Sequence, residues 1–429
     1  MEIEATVKIL TVFMAILIAT RLKLQLGLSL IAGGIVLDLW AGRAGMLSGD
    51  LAEALIQPEL WLFLLNISLI IEFGVFMTES ENSRALVSVV HRWAGRHGRV
   101  FGIILLPAIL GLVPMPGGAM FSAPLVKKTV DGKDLSPEWK SAANYWFRHL
   151  CEYWWPLYPV VIVTLSVLPI PIWKFVLLQL PFTLASILAG VLFILWPQRR
   201  NLTLKAEEME SRKGGGYVLL PLAIVAVSIM TLPQLLGWLL PSLSASVAKL
   251  LGMLIGLCLG LAVIARFRKG VVKEAMLKRF FTRKNLNILL TLVGVMFFKS
   301  LLESSGVIPE AGRELAAHNM PLIVVVGALP FLAGLVTGIA VGFAGTTFPL
   351  IVGLIAAEGS GLTVVAALPV AFGMGYAGMM LSPLHLCLLL TKDYFEANLF
   401  KIYRYLVPCV IVVMVFSVVL HLIFSMAFG

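Results

Sequence analysis

Charge and thiols are the two things this sequence has little of. Only 13% of its 429 residues are Asp, Glu, Lys or Arg, and four are cysteine. So low a charged fraction, beside 59% hydrophobic residues and a strongly positive mean hydropathy, excludes a soluble domain, whose apolar share is nearer half. The chain reads as a polytopic membrane protein. Cys151, Cys258, Cys387 and Cys409 lie inside apolar runs at distant, irregular intervals, which argues against both a disulfide framework and a zinc site. Aspartate occurs five times and never in a Gly-x-Gly-Asp pattern, and there is no Gly-x-Ser-x-Gly elbow and no His-Glu-x-x-His helix. His149 and Glu152 alone fall short of the ligand count of a catalytic zinc site. With no Walker-type loop either, the chain is expected to be neither an enzyme nor an ATP-driven pump. No metal and no cofactor are expected, apart from sodium as a coupling ion. The formal charge of +10 lies mostly in short loops, where Lys and Arg set topology, so it does not point to nucleic acid.

What is there in abundance is apolar sequence. Crossing a hydrocarbon core takes about 20 mostly apolar residues. Ten stretches suffice: 4–20, 24–40, 58–78, 140–168, 171–196, 216–240, 244–265, 285–305, 362–391 and 396–427. The first lacks a basic leader and a small-residue cleavage site and is expected as a retained helix, not a signal peptide. Two further apolar stretches, 99–128 and 320–357, are interrupted by Pro and Gly and are expected as re-entrant hairpins. Basic residues then gather in loops on one side: Arg21 and Lys23, Arg84 to Arg99, Lys127 to Lys133, Arg199 to Lys213, and Arg266 to Lys284. The other side holds little beyond Arg43 and Arg313. The positive-inside rule then places both termini outside, in a cytoplasmic (inner) membrane.

The halves repeat. "WPLYPVVIVTLSVLPIPIWKFVLLQLP" aligns with "SPLHLCLLLTKDYFEANLFKIYRYLVP" at a constant offset of 227, matching Pro156 to Pro383 and Thr164 to Thr391. "GLV" at 111 and "SAPL" at 122 pair with "GLV" at 334 and "TFPL" at 347. Five crossings and a hairpin per copy give odd parity, so the second copy is inverted. The organisation expected is all-α: a first inverted repeat over 1–196, a cytoplasmic linker over 197–215 and a second repeat over 216–429. Each repeat also holds an amphipathic stretch too polar to span, "ENSRALVSVVHRWAGRHGR" and "VIPEAGRELAAHN", read as lying in the interface or as an ordinary loop.

Irregular backbone at membrane depth persists only where protein or a water-filled cavity surrounds it, so the interruptions mark sites. Broken helices point N-terminal amides at anions and freed carbonyls at cations. "PMPGGAMFS" and "AVGFAGTTFP" are the two expected binding tips, with Pro116, Gly117, Gly118 and Ser122 in one and Gly345, Thr346 and Thr347 in the other. The crossing after each hairpin is also marked. "NYWFRHLCEYWWPLYP" carries Asn144, Arg148, His149 and Glu152 inside the span, where ionisable groups are functional candidates by default. Arg148 and Glu152, four apart, either neutralise each other or leave Arg148 to meet an anion. "FGMGYAGMMLSPLHL" carries Gly373, Gly375 and Gly378 as sources of backbone freedom, followed by Ser382 and His385, the latter readable as a satisfied interior histidine. Glu152, His149, Thr346 and Gly375 are the candidates for holding a coupling ion or proton. Asn66, Glu72, Lys299 and Glu303 are further polar positions with no assigned role.

Through "PMPGGAMFSAPLV", "NYWFRHLCEYWWPLYP" and "SPLHLCLLLT", the chain resembles the ion transporter superfamily of gluconate, citrate, C4-dicarboxylate and arsenite permeases. The branch it looks most like is an uncharacterised ten-helix one, domain-of-unknown-function family 401. The resemblance implies a scaffold, an elevator-type transport domain of two hairpins and two broken helices, and a homodimer. Dicarboxylate relatives carry Ser-Asn-Thr at both tips, whereas this chain has Pro-Gly-Gly and Ala-Gly-Thr-Thr. The function expected is secondary active transport of a small organic anion bearing a carboxylate, coupled to sodium or protons. A cation/proton antiporter without organic substrate is the alternative.

Overall fold

The computed structural model describes residues 4–78, 99–113, 118–202, 219–267, 282–318, 320–357 and 361–428. Among them every regular element is helical. The first half holds α1 (Ala5–Arg21), α2 (Leu26–Trp40), α3 (Leu47–Ile56), α4 (Pro58–Thr78), α5 (Arg99–Gly111), α6 (Ala119–Thr129), α7 (Pro137–Arg148), α8 (Pro159–Val167), α9 (Ile172–Gln179), α10 (Pro181–Gly190) and α11 (Arg199–Leu202). The second holds α12 (Leu219–Leu239), α13 (Ala245–Phe267), α14 (Arg283–Ser304), α15 (Val307–Ala317), α16 (Leu322–Thr337), α17 (Ala340–Ala356), α18 (Val364–Leu381), α19 (Leu386–Tyr394) and α20 (Leu399–Phe428). Proline opens α4, α7, α8 and α10, where its missing N–H has no helical partner to lose. The side chains of Ser136, Thr282 and Thr363 cap α7, α14 and α18 by accepting from the backbone N–H three residues on.

Among the described residues seven helical segments are long and apolar enough to cross a membrane, which marks an integral membrane protein: Pro58–Met77, Ile172–Leu202, Leu219–Leu239, Ala245–Arg266, Asn285–Ser304, Val364–Tyr394 and Leu399–Phe428. They coincide with seven of the ten stretches expected from the sequence. The other three differ for separate reasons. α1 and α2 are only 17 and 15 residues long, and 140–168 is two helices, α7 and α8, separated by an irregular stretch at 149–158. Pro156 and Pro159 lack the N–H that would continue the ladder through it. The segment over 364–394 is likewise broken, at 382–385 ahead of α19.

Burial separates central from peripheral helices. Of an 18-residue apolar stretch within Val364–Tyr394, 83% is buried within the protein, against 33% for such a stretch of Leu219–Leu239 and of Leu399–Phe428, whose outward side chains, such as Trp238 and Phe400, are as apolar as their inward ones. Around α18 pack α16, α17 and α20; α7 packs on α5, α6, α19 and α20, and α8 on α17. Close approach depends on missing side chains. A Cβ on Gly27 of α2 would collide with the backbone carbonyl of Leu290 in α14, and one on Gly378 of α18 with that of Phe331 in α16. Such small-residue contacts are how helices associate where lipid removes the hydrophobic drive.

Three polar contacts tie distant segments together. Lys249 of α13 donates to the carbonyls of Leu165, Leu168 and Ile170 at 2.9, 3.0 and 3.4 Å, meeting the unpaired end of α8. Asn66 of α4 donates to the Leu250 carbonyl in α13 at 2.9 Å. The amphipathic stretch after α14 is a helix, α15, and its Glu314 clasps the start of α1, accepting from Ala5 N at 2.7 Å, Thr6 N at 2.8 Å and Thr6 Oγ1 at 2.6 Å. The matching amphipathic stretch of the first half lies outside the described residues, as does Glu79. Lys299 and Glu303 form an i,i+4 pair at 3.9 Å, and Glu72 is buried in α4.

Burial raises the Glu314 pKa, but the bonds from Thr6 and Ala5 and the nearby His318 outweigh it and leave it below the ordinary carboxylate value. Because the folded-state pKa is depressed, its contribution is complete above the unfolded value of about 4.3 and is lost as pH falls through the folded value. Glu314→Ala is therefore expected to cost about 1 kcal/mol at neutral pH, as loss of an N-terminal cap does. In thermal melts the gap between wild type and variant should close on acidification below the unfolded value; a gap that stays constant would refute the charged clasp.

Candidate functional site

Both breaks at the ends of α7 and α18 open into one buried place. On the α7 side the helix closes at Arg148, with His149, Glu152, Tyr153 and Tyr158 following on irregular backbone. On the α18 side Ser382 and His385 form the break, and Cys387 lies in the first turn of α19. Arg148, His149, Glu152, Ser382 and His385 are all buried, and Cys387 is half-buried.

Hydrogen bonds stitch the two breaks together. The Tyr376 hydroxyl of α18 lies 3.0 Å from the His149 carbonyl and 3.1 Å from Glu152 Oε2, both of which accept. Tyr145 donates to the Met380 carbonyl at 3.2 Å. Asn144 donates to the carbonyl of Ala119, where α6 begins, and to Thr391 Oγ1 of α19, each at 3.1 Å. Helices from both halves thus meet within one turn of Arg148. Aromatic rings line the place: Tyr145 stands edge-on to His149 with centroids 4.8 Å apart, and Tyr153 packs on Tyr376 at 4.2 Å.

One contact recurs in both halves. Tyr158 Oη donates to the carbonyl of Gly111, and His385 Nδ1 to that of Gly338 at 2.9 Å, both spanning 47 residues. In each half, the residue closing a break grips the end of the first helix of the interrupted segment. Gly111 lies against the Arg148 carbonyl and Gly334 against the Gly375 carbonyl so closely that a Cβ would collide with each. At the offset of 227 that aligns the halves, Gly375 stands where Arg148 does.

Arg148 is the electrostatic anomaly. Only 2% of it is exposed, yet its Nε and Nη1 have no hydrogen-bond partner and it forms no ion pair among the described residues. The negative end of α7 offsets part of its charge. Of the two readings the sequence left open, the pairing with Glu152 is not made, because the helix ends between the two. The carboxylate turns instead to Tyr376 and to His149, with Glu152 Oε1 at 3.8 Å from His149 Nε2.

The second tip also needs correction. The chain breaks at Gly338, in the left-handed region at φ 64°, and Ile339, while "AVGFAGTTFP" is regular helix in α17. Gly345 is packed against Val295, and the hydroxyls of Thr346 and Thr347 donate to the Gly342 and Phe343 carbonyls of their own helix, each at 2.7 Å. They are buried helix residues, not an irregular tip. Pro349 sits within α17, which continues unbroken through it. Gly373, Gly375 and Gly378 do not loosen the backbone either: all three lie inside α18 and make room for neighbours, Gly375 for the Phe343 ring. Ser122 is inside α6, its hydroxyl 3.2 Å from the Ala119 carbonyl; Gly118 is buried just before that helix, and Pro116 and Gly117 lie outside the described residues.

A family model described as a protein of unknown function (DUF401) matches residues 6–424, nearly the whole chain. The chain belongs to the DUF401 family. No curated protein matches it. Within this DUF401 chain, sequence reading located Asn144, Arg148, His149, Glu152, Ser382 and His385, all of which the fold brings to the breaks. It missed Tyr158, Tyr376, Cys387 and Thr391. The offset of 227 was the available signal, since it places Tyr158 opposite His385 and His149 opposite Tyr376.

The joint between α5 and α7 gives a direct check. Gly111→Ala would drive a methyl into the Arg148 carbonyl, backbone against backbone, at a cost of about 1–3 kcal/mol. Gly49→Ala in α3 meets nothing within 4 Å and should be neutral or slightly stabilising. Melting temperatures and monodispersity in detergent are expected to separate the two variants.

Proposed function

We propose that this protein is a secondary active transporter of a small organic anion, a carboxylate, driven by a sodium or proton gradient. One observation carries the proposal: Arg148, buried and without a partner for its Nε and Nη1 among the described residues, where two broken helices meet. A guanidinium with unmet donors inside a protein is costly and persists where a ligand completes it. Its planar fork suits a carboxylate, bidentate and charge-assisted. The starts of α6 and α19, tied to Asn144 and to His385, add the positive ends of two helices to the same region.

Broken helices around a buried polar site are what alternating-access transporters use. The recurrent contacts of Tyr158 and His385 support two related halves, and the inverted repeats, re-entrant hairpins and elevator motion expected from the sequence belong to this proposal. So do the homodimer and a place in the inner membrane with both termini outside. The protein then moves its ligand without transforming it, so no enzymatic activity is proposed.

Thermal melts against a panel of organic anions, in sodium or in potassium and at two pH values, test this. A transported carboxylate at one hundred times its Kd should stabilise wild type by about 2.7 kcal/mol. Arg148→Met should abolish that response and, by removing an unpaired buried charge, raise the melting temperature of the ligand-free protein, a gain of about 1–3 kcal/mol. Response to sodium or pH alone, with none to any anion, would overturn the proposal in favour of a cation/proton antiporter.

A further inference from the structure

His149 and His385 come from breaks 236 residues apart, yet their Nε2 atoms face each other at 3.3 Å. The other nitrogen of each ring is already committed. His149 Nδ1 lies 2.6 Å from the Tyr145 carbonyl, and His385 Nδ1 lies 2.9 Å from the Gly338 carbonyl. A carbonyl only accepts, so both rings carry their hydrogen on Nδ1. Two neutral imidazoles so held point bare lone pairs at each other, an arrangement that repels unless an electron-pair acceptor lies between them. Beside them is the sulfur of Cys387. One ligand atom from each of His149, His385 and Cys387 falls within 4.8 Å of the other two. Glu152 Oε1 is 3.8 Å from His149 Nε2, and its second oxygen is held by Tyr376.

We propose that these residues form a site for a d-block divalent cation of the zinc class, with His149, His385 and Cys387 as ligands and Glu152 as the fourth. Zinc binds imidazole nitrogen at about 2.0–2.1 Å and thiolate at about 2.3 Å in a tetrahedron, which sets two nitrogen ligands about 3.3–3.4 Å apart. The two rings already stand at that separation. An Nδ1–H held on a carbonyl is the outer support that metal-binding histidines use to fix tautomer and ring plane. Charge also balances. Cys387 gives up its proton on binding, and a divalent ion with one thiolate and one carboxylate is neutral, the form tolerated in a low-dielectric interior and beside Arg148. The bound ion would join the break after α7 to the break before α19 and so pin the two halves together. The site stands independently of the transport proposal, since it rests on ligand geometry alone.

The full chain, purified in detergent and stripped with a chelator, is dialysed against zinc and separately against cobalt. Wild type is expected to retain one zinc per chain and melt at higher temperature with it. Cobalt should show a thiolate-to-metal charge-transfer band and the intense visible bands of a tetrahedral ion. His385→Ala and Cys387→Ser should lose the stoichiometric ion, and Cys387→Ser the charge-transfer band, while Cys258→Ser and His318→Ala, both at exposed positions, should keep both. Less than one zinc per wild-type chain, or a cobalt spectrum without the thiolate band, would overturn the site even if a variant failed to fold. So would equal zinc binding by wild type and the two ligand variants. A proton shared between the two rings would then be what holds them together.

Discussion

Everything in this molecule turns on the cost of an unpaired backbone group where there is no water. A helix satisfies its own N–H and C=O groups, so a chain passing through hydrocarbon stays helical unless something else accepts the burden. Here the chain stops being helical between Arg148 and Pro159, between Gly338 and Ala340, and between Leu381 and Leu386. Side chains from elsewhere in the sequence meet the freed groups each time. Tyr158 takes the Gly111 carbonyl, His385 that of Gly338, Tyr376 that of His149, Tyr403 that of Leu381, and Lys249 those of Leu165, Leu168 and Ile170 at and just after the end of α8. The breaks exist because these partners exist, and the partners come from distant segments, which draws the breaks into one place.

That concentration has a chemical consequence. Groups recruited to satisfy backbone include hydroxyls, imidazoles, amides, indoles and an ammonium, and several of them bring remaining valences with them. His385 spends one nitrogen on Gly338 and keeps the other; Tyr376 serves a carbonyl and a carboxylate together. Arg148, in contrast, serves no backbone group among the described residues through its Nε or Nη1, so its charge has no structural use in sight. A structural explanation covers most of the polar groups in this interior; the Gln179 amide and the Thr164 hydroxyl are also without a hydrogen-bond partner among the described residues, but Arg148 is the one left over that carries a permanent charge.

How legible this was varies with the kind of signal. The membrane class, seven of the spans and the α15 helix follow from local composition and periodicity, which no distant contact can alter. The broken character of 140–168 was written in its prolines, but its depth was not, because polar residues in an apolar run are equally compatible with a continuous helix. "AVGFAGTTFP" misled for the opposite reason. Gly and Thr suggest an open backbone, but in α17 the glycines admit neighbours and the threonines bond to the preceding turn, both compatible with a regular helix. The actual break falls two residues before that motif's first glycine-rich turn, at Gly338 with its positive φ.

Hydrophobic runs, their lengths and the distribution of Lys and Arg determined, without help from the fold, that this is a helical membrane protein and where most of its helices lie. Those properties depend on residues within a turn or two of one another and on the solvent around them. Only the tertiary structure decided that Arg148 stands apart from Glu152, that Glu152 turns to Tyr376, and that His149, His385 and Cys387 share one spot. These depend on how helices pack within each half, set by backbone-to-backbone contacts at Gly111, Gly334 and Gly378, and on the bonds that Tyr145, Asn144 and Tyr376 make between the halves. A linear pattern shows that such glycines are small, and leaves open what they are small for.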